Sequence, residues 1–317
     1  MIVSIIHWKN KFIPALEKLL GEKICECHDK QEALKVLPEA DILLTFGVGG
    51  GEYSIPMDEE ILSACKKLRL VLSLSAGIET LPLQALLSKG IRICNTRGAH
   101  GGSIAEYVLC WILIISHHFH TFIRRQERCE WKTILYGEDI EGKTLCVIGV
   151  GSIGQEIGKK AKALNMRVTG TKRHPEPVQG FDKVLGTGHL HELLGEADYV
   201  VLSTPLTRET HHLMGAEEFQ KMKDTAVFIN VSRGNTVDES ALIQALEEKQ
   251  IAGAILDVFQ IEPLPASSPL WKMENVLITP HNAGPTKNTK NKTIQLLFEN
   301  IVRFTNGKAL INEIKEI

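Results

Sequence analysis

Three polar residues in the second half of the chain have the chemistry to grip and reduce a carbonyl compound. They are Arg233 in Val231-Ser232-Arg233-Gly234, Glu262 in the run from Asp257 to Pro263, and His281 in Thr279-Pro280-His281. Arginine offers a planar fork of donors that can hold a carboxylate and polarise an adjacent carbonyl. Histidine titrates near neutrality, so it can give a proton to a developing alkoxide and take one back in the reverse direction. A carboxylate on the second ring nitrogen favours the imidazolium and fixes its orientation, and Glu262 suits that part. Each residue follows a predicted late strand, and open α/β sheets place their ligands at such strand ends.

A second constellation lies upstream. Gly149-Val150-Gly151-Ser152-Ile153-Gly154 is a G-x-G-x-x-G that leaves the apolar run Thr144–Ile148 and enters a helical pattern. Gly149 suits the tight turn, Gly151 lets backbone approach a pyrophosphate, and Gly154 lets helix pack on strand. The helix start at Ser152 and Ile153 then turns unpaired N–H groups and a positive dipole end toward the anion. An acidic residue that would hold the ribose of NAD is expected about 20 residues on. That region instead reads Gly170-Thr171-Lys172-Arg173-His174. Two cations where a carboxylate is expected suit a 2'-phosphate, so NADP is favoured over NAD, the alternative being that Lys172 and Arg173 are ordinary solvated loop charges.

The elements that must position these residues alternate in a βα rhythm from Lys143 onward, the pattern of a parallel sheet with helices on both faces. Strands are predicted at 144–148, 167–171, 199–203, 226–230, 253–256 and 276–278, with helices at 153–165, 190–194, 216–222 and 239–249. The first hundred residues carry a weaker alternation, with apolar runs at 2–6, 41–46 and 70–73 and helices near 14–20 and 59–67, which reads as a smaller α/β domain. Breaker-rich segments at 95–102 and 282–285 are the predicted crossings. They divide the chain into a substrate domain, 1–98 plus 286–317, and a dinucleotide domain, 99–285. Ser103-Ile104-Ala105-Glu106 matches a capping box, with Ser103 as N-cap of an apolar helix running to about Ile115.

Bulk properties exclude other classes. At 317 residues and 44% hydrophobic, the chain can bury two cores. Its 36 basic residues against 38 acidic ones make no field for nucleic acid or anionic lipid. The seven cysteines show no metal-ligand spacing and read as reduced, mostly buried thiols, so no metal is expected. Met1-Ile2-Val3-Ser4 does not open a secretory signal, and the apolar stretch Val108–Ile115 is too short to span a bilayer. A cytoplasmic protein without a membrane partner is the expectation. His117, His118 and His120 lack a ligand pattern and are taken as surface or interface residues.

The order of these motifs resembles the D-isomer-specific 2-hydroxyacid dehydrogenase family, which includes glyoxylate/hydroxypyruvate reductases and phosphoglycerate dehydrogenases. The resemblance spans nearly the whole chain and is densest from Gly142 to Gly284. It implies a doubly wound Rossmann nucleotide domain beside a smaller, flavodoxin-like α/β substrate domain. It also implies hydride exchange between NAD(P)H and a small 2-keto acid, giving the D-2-hydroxy acid, with Arg233, Glu262 and His281 catalytic. Carried over by residue, Ala76, Gly77 and Ile78 would receive the substrate carboxylate, Asp257 would hold the nicotinamide carboxamide, and Val231 would present its backbone to that ring. Thr204 and Pro205 would lie beside the adenosine, and the glycine-rich segment 46–51 could line the cleft. Family members associate through the nucleotide domain, so a homodimer is expected, with the helix beginning at Ser103 supplying apolar surface. The second expectation, from a different class, is a non-enzymatic NAD(H)-sensing interaction protein like the family's corepressor relatives.

Overall fold

The computed structural model describes residues 1–6, 12–47 and 54–315. In chain order the elements begin β1 (Ile2–Ser4), α1 (Phe12–Leu20), β2 (Cys25–Glu26), α2 (Lys30–Val36), β3 (Ile42–Thr45), α3 (Glu59–Ala64), β4 (Leu70–Ser73), α4 (Leu83–Ser88) and β5 (Arg92–Cys94). They continue with α5 (Gly101–Ser116), α6 (Phe119–Glu127), β6 (Thr144–Ile148), α7 (Ser152–Ala163), β7 (Arg167–Thr171), β8 (Lys183–Leu185), α8 (Leu190–Glu196), β9 (Tyr199–Leu202) and α9 (Ala216–Lys221). The last are β10 (Val227–Asn230), α10 (Glu239–Glu247), β11 (Gly253–Leu256), β12 (Val276–Ile278), α11 (Lys287–Thr305) and β13 (Glu313–Ile314). The chain divides into two compact units, Met1–His100 with Pro285–Ile317, and Gly101–Gly284.

The second unit holds a seven-stranded parallel sheet in the order β12-β11-β10-β9-β6-β7-β8. The chain enters at β6, winds out to β8, and then returns past β6 to β9 and onward, which is the reversal that opens a ligand crevice in a Rossmann sheet. Alternate residues of each strand feed opposite faces. Cys146, Ile148, Val200, Leu202 and Phe228 enter one buried cluster, and Leu145, Val147, Val201, Ile229 and Ile255 the other. Both faces are covered, so the strands read as nearly continuous apolar runs.

In the first unit the parallel order β2-β1-β3-β4-β5 is that of a flavodoxin-like sheet, and β13 adds antiparallel to β5. Ile294, Leu297 and Ile301 of α11 are buried in the same cluster as Phe12 and Leu16 of α1. Arg92 on β5 clasps Glu313 on β13 through two hydrogen bonds, Nε to Oε1 at 2.5 Å and Nη2 to Oε2 at 3.0 Å.

Two local expectations are corrected. Helix α5 starts at Gly101, so Ser103 is its third residue and not its cap. Glu106 extends to Lys160 at 3.3 Å and does not reach back to close a capping box. The start is set by packing, because a Cβ on Gly101 would lie 3.0 Å from the Ser152 carbonyl oxygen, a spacing that only glycine tolerates easily. Strand β8 lies where no strand was predicted. It is a three-residue edge strand of partly buried residues, with no apolar run to announce it. Among the described residues no single helix is long and apolar enough to cross a membrane.

The Arg92 hydrogen bond, opposed by burial, holds the Glu313 carboxyl below its ordinary 4.5. The stabilisation from this depressed carboxyl is therefore complete above that value and lost as pH falls through the lower folded one. Glu313→Gln should cost about 1 kcal/mol in urea unfolding at neutral pH. In acid the gap between variant and wild type should close.

Candidate active site

The glycine loop is built as a phosphate cradle. Gly149 and Val150 donate their N–H groups to the Thr171 carbonyl, at 3.2 and 2.9 Å, which stitches the loop to the end of β7. Gly149 has a φ of +96°, and a Cβ there would approach Thr204 N to 2.9 Å. A Cβ on Gly154 would fall 2.5 Å from the Gly149 carbonyl oxygen, so the helix can seat against the loop only if this residue is bare. A Cβ on Gly151, by contrast, meets nothing within 4 Å, so the chain is open there to an approaching group. Helix α7 begins at Ser152 with no side-chain cap, leaving its first N–H groups to face that space. Beside the loop, the buried Thr204 Oγ1 has no hydrogen-bond partner among the described residues. An open glycine, an uncapped helix start and an orphaned hydroxyl together fit a dinucleotide pyrophosphate and its flanking ribose.

Thr171, at the end of β7, is 2% exposed and carries no carboxylate to offer a ribose. Lys172 is ion-paired with Glu176, and Arg173 lies 4.0 Å from Glu209. Pro205 is exposed, and its carbonyl accepts from Thr210 Oγ1 at 2.6 Å, which folds the loop after β9 back on itself.

On the other arm of the sheet the three polar residues converge. The Arg233–Gly234 turn follows β10, and a Cβ on Gly234 would overlap the backbone of Phe259 and Gln260, at 1.9 and 2.4 Å. That contact presses the arginine turn onto the segment carrying Glu262. Glu262 Oε1 accepts from the Phe259 N–H at 3.0 Å, and Oε2 meets His281 Nδ1 at 2.8 Å. Burial pushes the Glu262 carboxyl up, but the His281 and Phe259 hydrogen bonds and the charges of His281 and Arg233 outweigh it, leaving the group below its ordinary value. Glu262 is therefore ionised at neutral pH and can only accept, so Nδ1 of His281 carries the hydrogen and Nε2 is left for proton exchange.

His281 itself sits at φ +50°, a left-handed conformation that a non-glycine residue adopts at a cost. Asp257, 3% exposed, holds it there. Its backbone carbonyl accepts from the His281 N–H at 2.8 Å. Its Oδ1 accepts from Thr279 Oγ1 at 2.7 Å, Asn282 N at 2.8 Å and the Tyr107 hydroxyl at 3.3 Å, and its Oδ2 accepts from Ala283 N at 3.0 Å. Tyr107 and Thr279 escaped sequence reasoning in this role. Tyr107 reads as one more residue of an apolar helix, and only its spacing against a distant carboxylate, visible in the fold, separates it. Val231, buried, lies between β10 and the arginine turn, and its N–H donates to Leu202 O at 3.3 Å.

The remaining candidates lie in the first unit. Ala76, Gly77 and Ile78 form a bend after β4, with the Ala76 carbonyl accepting from Asn95 Nδ2 at 2.7 Å and the Gly77 carbonyl from Ser75 Oγ at 2.7 Å. The carbonyls are thus fastened inside the bend. Of the glycine-rich segment 46–51, residues 48–51 lie outside the described residues.

A Rossmann sheet with a phosphate cradle at its reversal and a carboxylate-backed histidine at its strand ends defines a dinucleotide-dependent oxidoreductase. Comparison with known proteins narrows the class. Residues 109–283 match the family model "D-isomer specific 2-hydroxyacid dehydrogenase, NAD binding domain". A glyoxylate reductase of Korarchaeum cryptofilum is 34% identical, the match covering 98% of this chain and 89% of that one. The crystal structure of a D-isomer specific 2-hydroxyacid dehydrogenase family protein from Aeromonas salmonicida superposes with a TM-score of 0.85 at 31% identity, covering 99% of this chain and 98% of that one. A D-isomer specific 2-hydroxyacid dehydrogenase from Xanthobacter autotrophicus, solved with NADPH, gives a TM-score of 0.82 at 28% identity over 99% and 97% of the two chains. The chain belongs to the D-isomer specific 2-hydroxyacid dehydrogenase family, and its cofactor is NAD(P). The alternative expectation of a corepressor-type interaction protein finds no support in these relatives.

Gly234→Ala is the sharpest probe of this geometry. Forcing a methyl into the Phe259–Gln260 backbone should cost on the order of 3 kcal/mol and displace Arg233 from Glu262. Thermal denaturation should show the loss, and turnover should fall further than in a surface glycine variant such as Gly188→Ala, where a Cβ meets nothing within 4 Å.

Proposed function

We propose that this enzyme reduces a small 2-keto acid of the glyoxylate or hydroxypyruvate type to the D-2-hydroxy acid, with NADPH preferred over NADH. The observation that carries the reading is the 2.8 Å contact of His281 Nδ1 with Glu262, in reach of the Arg233 charge, at the strand ends of a dinucleotide-binding sheet. A bound nicotinamide supplies the hydride. Arg233 grips the α-keto carboxylate and polarises the carbonyl, drawing charge onto the oxygen. His281, oriented by Glu262, delivers its Nε2 proton to that oxygen as the alkoxide develops, and recovers it in the oxidative direction. The backbone N–H groups of Ala76 and Gly77, with Ile78 beside them, are assigned to the substrate carboxylate. Gly149, Gly151, Ser152, Ile153 and Gly154 are assigned to the pyrophosphate, and Thr204 and Pro205 to the adenosine. Val231 and Asp257 are assigned to the nicotinamide end, and Thr171, Lys172 and Arg173 to the adenosine ribose and its 2'-phosphate.

We assign the protein to the cytoplasm as a homodimer. Its seven cysteines are all free thiols, as a reducing compartment maintains them. Helices α5 and α6 leave Leu113, Phe119, Phe122 and Ile123 between 37% and 56% exposed, an apolar face suited to a second copy of this chain. Light scattering at micromolar concentration should report twice the chain mass; a monomer would count against this surface.

The catalytic assignment is tested by following nicotinamide absorbance with a panel of 2-keto acids, using NADPH and NADH in turn. His281→Ala should lower turnover on the best substrate by roughly 10²–10⁴ while leaving cofactor binding intact. Undiminished turnover would refute the role of His281.

A further inference from the structure

Where β7 ends, two cations that could meet a 2'-phosphate already have carboxylates against them. Lys172 is paired with Glu176, four residues on in its own loop. Arg173 faces Glu209, which comes from the loop after β9 on the far side of β6. The two loops bracket the phosphate cradle, since Thr171 is stitched to Gly149 and Val150, while Thr204 lies against Gly149. We propose that Glu176, with Glu209 in a lesser part, is an internal counter-ion that occupies the 2'-phosphate position and sets how strongly the enzyme discriminates NADPH from NADH. The inference rests on the NADP reading given above.

The construction of the loop supports it. Glu176 lies between Pro175 and Pro177, and proline both fixes its own φ and confines the preceding residue to extended backbone. The carboxylate is thus presented by a stiff segment and is 64% exposed, whereas the Lys172 side chain it meets is 26% exposed. The Lys172 hydrogen bond and charge hold the Glu176 carboxyl below its ordinary value, so it is ionised whenever cofactor arrives. An exposed ion pair of this kind is held weakly and exchanges readily. A phosphate monoester carries about −1.5 to −2 charge and three strong acceptors, so it outcompetes a single carboxylate for the same lysine. NADH brings no such anion; it leaves the pair closed, and its ribose hydroxyl can donate to the Glu176 carboxylate where Thr171 offers none. Glu209 contributes less, because its contact with Arg173 is 4.0 Å long between side chains 71% and 73% exposed, and Thr207 Oγ1 already holds its Oε2 at 2.7 Å.

Glu176→Gln removes the competing charge but keeps shape and polarity. Titration calorimetry with NADPH, NADH, adenosine 2'-monophosphate and adenosine 5'-monophosphate reads its effect without turnover. The variant should bind NADPH and the 2'-monophosphate about 2- to 5-fold more tightly, with NADH and the 5'-monophosphate unchanged or weaker. Glu209→Gln should shift the same ligands in the same direction by less. Lys172→Met should abolish the preference for 2'-phosphorylated ligands. If Lys172→Met acts so but Glu176→Gln leaves NADPH unchanged or weaker, the counter-ion role is overturned and the 2'-phosphate site stands. If wild type binds NADPH no more tightly than NADH and Lys172→Met alters neither, the NADP reading and the inference fall together.

Discussion

The site depends on one buried carboxylate, around which the loop carrying His281 closes. Asp257 gathers donors from Thr279, Asn282, Ala283 and Tyr107 around its side chain, and its backbone carbonyl takes the His281 N–H. A negative charge taken out of water is tolerable only when it is met by hydrogen bonds of this number, and the loop after β12 can close in only one shape around it. That shape drives His281 into left-handed backbone and aims its ring at Glu262. The strain in the histidine and the satisfaction of the aspartate are two aspects of one arrangement.

Electrostatics divides the second unit into two regions that present positive charge in different ways. Around β10 to β12, an ionised Glu262 backs His281 and feels Arg233, so positive charge there comes from side chains. Around β6 and β7, the uncapped start of α7 and the bare Gly151 offer partial positive charge from backbone alone, a setting suited to phosphate without a mobile side chain. Only beyond that cradle, at Lys172 and Arg173, do full side-chain charges enter, and there they are balanced by acids.

Much of this was legible in the sequence because buried parallel strands must be apolar on both sides. Thr144–Ile148, Arg167–Thr171 and Gly253–Leu256 could be bounded to the residue, and the motifs at their ends followed. What was hidden had no local signature. Strand β8 is short, half-buried and held by pairing with Thr169, Gly170 and Thr171, so no periodicity marks it. The start of α5 is set by contact with Ser152, fifty-one residues away, and that overrode a good capping pattern at Ser103. Tyr107 and Gly234 owe their importance to what lies across the fold from them. Lys172 and Arg173 were legible as cations, but their partners were not: Glu176 lies four residues on, outside any helix that would give this spacing a meaning, and Glu209 comes from another loop, where no spacing rule applies.

The first unit is sewn together from both ends of the chain. Its sheet gains its last strand, β13, and one side of its core gains Ile294, Leu297 and Ile301, only from residues beyond Pro285. Domains ordinarily acquire structure in the order in which they leave the ribosome. Here Gly101–Gly284 is complete while the segment that precedes it still lacks a helix and an edge. Biosynthesis must therefore run out of sequence: the nucleotide-binding half matures first, and the half translated earliest waits, with α1 and β5 uncovered, for the tail to arrive.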